Sequence, residues 1–293
     1  MDKLLTELGI INKGTVSLLS SRTRDKEDCN VFHDTTSGVI FLEKPNSMSS
    51  DDFNEVRTKT MSSTHSEVVV NDTKLVLKRN SVASRRADEF KEYIENKVWV
   101  DIGAGVGELV TLLKDTAAEA VAVEINNIHR EDILARGIQC YKYIEDLPNN
   151  HFDTITLFHV FEHFDKPLEN LQRICEKLKV GGTLIIEVPH ARDALITQYQ
   201  HQPFINFTLR SDHLVLHTKE SLLKFLEVAG LKDISVEGYQ RYGLANHLYW
   251  LQHDKPGGHE HFSHLTTDQL DCEYASSLKA MDATDTLIAI SKK

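Results

Sequence analysis

The residues best placed to do chemistry share one short line, VWVDIGAGVGELVTLL, in which Asp101, Gly103, Gly105 and Gly107 stand between an apolar run and a helix-forming one. Glycines at such a turn let the backbone bend tightly and approach a bound molecule with no Cβ in the way. Glu124 closes the next apolar run, EAVAVEI, seventeen residues past Gly107. An acid there accepts hydrogen bonds from both hydroxyls of a ribose, so the pattern implies a nucleoside-bearing cofactor. The loop is not a full GxGxxG, because the third position after Gly105 is Glu108, and an acid, Asp101, precedes the first glycine. A pyrophosphate, as in NAD, would be repelled by both carboxylates. An ammonium group would be welcomed by Asp101, which favours S-adenosylmethionine.

A second group of residues is rich in histidine. HVFEH (159–163) spells the HxxEH pattern of zinc proteases, but that chemistry needs a helix to aim both imidazoles at one metal. Here the motif follows a strand-like run, so the protease reading is set aside. His213 and His217 lie in DHLVLH, and His247, His253, His259, His261 and His264 decorate a later stretch. The 15 histidines come with no strong ligand spacing and no paired cysteine, so no metal site is expected. An imidazole titrating near neutral pH suits the removal of a proton from an acceptor. His213, His163 and His217, in that order, are the candidates for such a base. Arg85 and Arg86 lie just upstream of the glycine loop, where one arginine is expected to meet a carboxylate or phosphate of cofactor or substrate.

The elements that must hold these residues alternate. Apolar runs at 98–103, 119–125, 137–144, 152–158 and 183–189 read as strands, and the segments 107–117 and 165–179 as helices, the second closed by Gly181 and Gly182. Such alternation implies a parallel sheet covered on both faces. Runs at 231–239 and 285–293 supply two further strands, with a 45-residue insert at 240–284 between them. The first 80 residues read differently: a β-hairpin around Thr36-Ser37-Gly38, a polar mobile loop over 45–67, short strand material at 67–79, then a helix over 81–97 capped by Ser81 or Ser84.

Five segments in this order resemble the class I S-adenosylmethionine-dependent methyltransferases of the small-molecule type, similar to those acting on quinones and sugars. They are VWVDIGAGVGEL, AVEI, FDTITLFHVFEHFDKP, LKVGGTLIIEVP and DHLVLHTKESLLKFLEVAGL, and they cover about residues 82–240 and the final strand. The resemblance implies a Rossmann-like α/β fold with a seven-stranded, mostly parallel sheet whose last strand is antiparallel. It implies that Ile125 beside Glu124, together with Phe158 and His159, lines the cofactor pocket, and that Tyr143 and Ile144 border the adenine. Position 143 carries no acid, where many relatives have one. Glu162 and His163 fall at the rim of the active site. The insert YQRYGLANHLYWL (239–251), with its aromatics, Arg241 and His247, resembles lids of enzymes that modify sugars of surface polysaccharides or their nucleotide-sugar precursors.

Composition bounds the rest. The 293 residues carry 33 basic and 44 acidic side chains, a net charge of -11, which disfavours binding to nucleic acid through its phosphates. No run is long enough to span a membrane, no leader peptide is visible, and the four cysteines are scattered. A cytoplasmic location is expected, with a homo-oligomer left open. The reading is an N-terminal extension (1–80) followed by a methyltransferase domain (81–293) with a substrate lid (240–284). Its expected activity is methyl transfer to a small polar acceptor, foremost a sugar-like hydroxyl. An NAD-dependent Rossmann enzyme or binding module, and a methyltransferase-like protein without catalysis, are the competing readings.

Overall fold

The computed structural model describes residues 1–43 and 72–293. Among them the strands form two sheets. The larger holds β4 (Val98–Ile102), β5 (Glu119–Val123), β6 (Gln139–Tyr141), β7 (Phe152–Phe158), β8 (Leu178–Pro189), β10 (Lys232–Tyr239) and β11 (Thr286–Lys292), in the order β10-β11-β8-β7-β4-β5-β6. Neighbours from β8 to β6 run parallel, and β11 is antiparallel to both β8 and β10. This is the expected methyltransferase sheet. Its central strands are apolar on both faces because helices cover both: Val100, Ile155, Leu157, Ile185 and Ile186 have no exposed surface.

Those helices are α2 (Asp72–Ile94), α3 (Glu108–Leu113), α4 (Asn127–Ala135), α5 (Pro167–Lys177) and α8 (Lys219–Val228), after the short α1 (Asp2–Glu7) and with α6 (Ala194–Thr197) and α7 (Gln202–Thr208) between α5 and α8. The insert contributes α9 (Leu244–His253), α10 (Gly258–His261) and α11 (Asp268–Ala280). Among the described residues no helix is long and apolar enough to cross a membrane.

Three local expectations are corrected. Residues 72–79 are not strand but the start of α2, which leaves Ser81 and Ser84 inside the helix instead of capping it. Asp72–Ile94 is a single 23-residue helix. Gly181 and Gly182 do not close α5, which ends at Lys177; they lie inside β8, where Gly181 adopts φ 78° beside a register shift against β7. The expected mobile loop at 45–67 and the strand material at 67–71 lie outside the described residues.

The smaller sheet is antiparallel, with β1 (Val16–Ser20), β2 (Val31–Asp34), β3 (Ile40–Leu42) and β9 (Val215–Leu216) in that order. The 30–43 segment is thus a hairpin, and its turn is organised by Asp34, whose carboxylate accepts from the amides of Thr36 and Ser37. Four backbone and side-chain donors, from Ser37, Thr15 and Asn12, hold that carboxyl at about 2, against the upward push of burial. The fourth strand comes from DHLVLH, far along the chain. Phe41 pairs with Val215 and belongs to the same apolar cluster as Ile102, Leu157 and Phe161 of the main domain. The extension is therefore welded to the segment that carries His213 and His217. Phe41→Ala should lower stability by about 3–5 kcal/mol, the usual loss for a truncated core phenylalanine, in chemical denaturation; a loss below about 1 kcal/mol would mean the small sheet is not part of the core.

Candidate active site

The parallel strands all deliver their C-terminal ends to one edge of the sheet, where open α/β sheets bind their ligands. The glycine loop lies there between β4 and α3. It is tied to β5 by Gly103 and Ala104 amides donating to the Val123 carbonyl at 2.8 and 3.1 Å. All three loop glycines have positive φ (74°, 58° and 74°), a conformation that side chains resist. Their roles differ, however. A Cβ at Gly103 would strike Val160, and one at Gly107 would come within 2.5 Å of Ile133 of α4. Only at Gly105 would it enter open space. Gly105 is thus the glycine that a ligand needs; Gly107 is needed by helix packing.

Glu124 is 3 % exposed. Its two oxygens accept from the amides of Gly105 and Asn126, each at 2.7 Å. Each oxygen keeps a second lone pair, so the same carboxylate that shapes the loop can still accept from a ribose. Arg136 was missed by sequence reasoning. It donates to the carbonyls of Val106 and Gly107 at 2.6 and 3.2 Å and pins the loop from α4's end; nothing in its local sequence marks it. Asp101 is buried at the end of β4 and accepts from Thr156 at 2.7 Å, and Thr156 in turn accepts from the Trp99 indole at 3.0 Å. Burial pushes its carboxyl up to about 7, with the Thr156 bond and Arg86 pulling the other way.

Two cavities open at this end of the sheet, the first of them beside the loop. One, of about 320 Å3, is lined by Gly103, Ile125, Tyr143, Ile144, Val160 and His163, which brings together five of the expected cofactor and site residues. The second, of about 310 Å3, is lined by His159, Asp193, His213, Arg241, Asp285 and aromatic residues that include Trp250. The turn after β7, residues 159–163, forms the wall between them. His159 sits in it at φ 57°, a conformation rare for a non-glycine and associated with constrained sites.

The arginine expectation needs revising. Arg85 and Arg86 each donate to the unexposed carboxylate of Glu187 at 2.7 Å, and their guanidinium groups stack over Tyr239 and Phe158, both at 4.6 Å. Their charge is committed to a buried acid of β8 and is not held out for a ligand. Phe158 is likewise turned toward α2, 5.2 Å from Phe90, and lines neither cavity. Glu187 itself was passed over in the sequence, although it is the one acid in the apolar run TLIIEVP. Burial would raise its carboxyl, but His159 and Arg86 hold it well below the ordinary range.

Two of the three candidate bases also change character. His217 is 1 % exposed, stacked at 5.3 Å on Phe161 and bonded to Ser221, so it is a core residue out of reach of either cavity. His213 does line the second cavity, but burial, aided by His163 nearby, pushes its imidazole down to about 4. His217 falls to about 4 through burial alone. Neither titrates near neutrality; both are neutral imidazoles at pH 7. His163 faces the first cavity while its ring meets that of His213 edge-on at 5.0 Å.

A methyltransferase-domain family is matched over residues 78–236 of the chain, more than half its length. The chain belongs to this methyltransferase family. Among solved structures, an S-adenosylmethionine-dependent methyltransferase from Archaeoglobus fulgidus shares the fold at 19% identity and a TM-score of 0.51, over 73% of this chain and 94% of that one. A possible histamine N-methyltransferase of that class from Thermotoga maritima aligns over 75% of this chain and 96% of its own, at 17% identity and a TM-score of 0.47. No curated protein sequence matches the chain. The cofactor of this methyltransferase is S-adenosylmethionine, and the residues present fit it. Gly105 offers clear space, Glu124 can take the ribose, the Ile125 and Tyr143–Ile144 cleft can take the adenine, and Asp101 can take the ammonium.

Two consequences can be measured. Gly105→Val should abolish S-adenosylhomocysteine binding in calorimetry while the protein stays folded by circular dichroism, since its side chain fills the cofactor's space; unchanged affinity would move the cofactor elsewhere. Asp101 carries a raised pKa, so below pH 7 the free methyltransferase holds a proton there, and stability declines as pH rises from the ordinary carboxylate range through about 7. An arriving ammonium favours the ionised form. Binding of S-adenosylhomocysteine at pH 6 should therefore release close to one proton, and almost none at pH 8, read from heats in buffers of different ionisation enthalpy. Asp101→Asn should remove that release; an identical release in the variant would assign it to another group.

Proposed function

We propose that this methyltransferase transfers the methyl group of S-adenosylmethionine to a hydroxyl of a small, sugar-like acceptor held in the second cavity. The observation that carries the reading is the lining of that cavity. Aromatic walls from Phe204, Phe207, Tyr242 and Trp250 stand beside Asp193, Arg241, Asn246 and His247. Flat apolar faces next to close-set donors and acceptors match a molecule that is apolar on its ring faces and polar at its rim. The insert supplies most of the polar roof. Asp285 of the sheet edge anchors it by accepting from the Arg241 and Tyr242 amides at 3.0 and 3.1 Å. Arg241 then reaches down to His159 at 2.9 Å.

The bound cofactor supplies an electrophilic methyl carbon on its sulfonium. What the chain must add is alignment, exclusion of water and a route for the acceptor's proton. The His159–His163 turn is a layer of side chains that borders both cavities, and the acceptor oxygen must pass its edge to meet the methyl carbon directly. His163 and His213 face each other across that layer, so a hydroxyl entering from the second cavity meets imidazole at the place where the methyl group arrives. His163 and His213 are thus proposed to activate the acceptor, and His217 to hold the wall by packing on Phe161.

Methyl-labelled S-adenosylmethionine incubated with nucleotide sugars, free sugars, small amines and quinols should label a sugar hydroxyl; label carried only by amines or quinols would reject the acceptor class. With the acceptor in hand, His213→Ala and His163→Ala should each lower kcat by roughly 100–10,000-fold and leave S-adenosylhomocysteine affinity unchanged. A loss under about tenfold in both would mean that proximity alone suffices.

A further inference from the structure

The wall between the two cavities holds more than two imidazoles. An oxygen of Glu162 and one ring nitrogen from each of His163 and His213 all lie within 4.8 Å of one another. Glu162 is 1 % exposed; its Oε1 lies 3.3 Å from His159 Nδ1 and 3.9 Å from His163 Nε2, while Oε2 meets no donor among the described residues. A carboxylate so deeply buried is stabilised by positive charge beside it, which a bound cation would supply. The Nδ1 atom of His213 is likewise buried without a hydrogen bond.

The supporting contacts aim these atoms inward. The carbonyl of Asp212 lies 2.6 Å from His163 Nδ1, so that nitrogen donates and Nε2, 3.9 Å from Glu162 Oε1, carries the lone pair. A carbonyl on the far nitrogen is the usual support of a metal-binding histidine. The Asp212 carboxylate is itself taken by Arg210 at 2.9 and 3.1 Å. The Leu214 amide donates to the Glu162 carbonyl at 2.8 Å and stitches the His213 segment to the His159–His163 turn. HVFEH thus contributes ligands without the helix that its protease reading required.

We propose that Glu162, His163 and His213 bind a divalent first-row transition-metal ion in the wall between the cofactor cleft and the acceptor cavity. Two imidazoles and one carboxylate suit such ions. Bonds near 2.1 Å place ligand atoms roughly 3 Å apart, so side-chain rotation must draw atoms now within 4.8 Å of one another closer by up to nearly 2 Å. Three protein ligands leave coordination positions open toward the acceptor cavity, which His213 lines. An acceptor hydroxyl bound there would have its pKa lowered and release its proton to water at neutral pH. This role rests on the acceptor reading given above; binding of the ion does not.

Cobalt(II) is the probe. Protein stripped with chelator and titrated with Co2+ should bind one equivalent, seen by calorimetry and by the visible absorption of a four- or five-coordinate centre. Glu162→Gln and His213→Ala should each weaken that equivalent at least about tenfold, while a His253→Ala/His264→Ala protein, altered in the insert, should keep it. Unchanged affinity in both site variants, or loss only in the insert variant, would overturn the site. Should the site variants fail to fold, anomalous diffraction from Co2+-loaded crystals of the unsubstituted protein decides: a peak between Glu162 and His213 supports the site, and a peak elsewhere or none overturns it. S-adenosylhomocysteine binding measured in parallel separates the two ideas. Cobalt bound without cofactor affinity would sink the methyltransferase reading alone, and the reverse result would sink the metal site alone.

Discussion

A carboxylate with no exposure must be answered by positive charge, and the neutralisation of Glu187 organises the whole ligand edge of the sheet. Arg85 and Arg86 reach it from α2, which fixes that helix over β8 and spreads two guanidinium planes over Tyr239 and Phe158. His159 reaches it from the turn after β7 at 3.2 Å, which draws the turn into its constrained geometry. The same Nε2 of His159 lies 2.9 Å from Arg241 Nη1, and that guanidinium is held in turn by Asp285 at the far side of the second cavity. One buried acid thus sets the helix, the wall and the roof in register. Removing either side of such a pair leaves the other charge stranded in a poor solvent, so the network is expected to behave as a unit.

The sheet was legible from the chain because its interior strands are short apolar runs that have to be covered on both faces. VWVDI admits few other readings once a glycine-rich turn follows it, and FDTITLF reads as a strand from its own apolar and β-branched residues. The cofactor loop was legible for the same reason: positive φ is demanded at fixed spacings, and glycine is the residue that accepts it. Pairings over long separations were not. Val215–Leu216 is only two residues of strand, and its partner, β3, is set by tertiary contact. Nor does a letter disclose burial: His213 and His217 look equivalent in DHLVLH, yet one borders a cavity and the other is locked between phenylalanines. The arginine pair was read as ligand-facing because its partner, Glu187, lies about a hundred residues away.

The two cavities divide the labour by the nature of their walls. The cofactor side is built on backbone: amides of the loop, glycines that keep space clear, and one acid that shapes the loop before it touches a ligand. Such a surface has few rotamers to lose, so its geometry exists before binding. The second cavity is roofed by side chains of the insert, which Asp285 anchors to the sheet and which the bond between His247 and Tyr274 at 2.6 Å holds together from within. Changes in the insert can therefore alter what is bound there with little disturbance of the cofactor's seat.

The position of β11 has a consequence for the birth of the chain. The strand at 286–292 lies between β8 and β10, pairing with both. Until those residues leave the ribosome, one edge of the largely buried β8 and the whole of β10 have their hydrogen-bonding groups unpaired. An open edge of that kind recruits strands from other chains. The nascent protein must wait with its central seam unsewn, and its yield in a cell depends on what shields that seam during the wait.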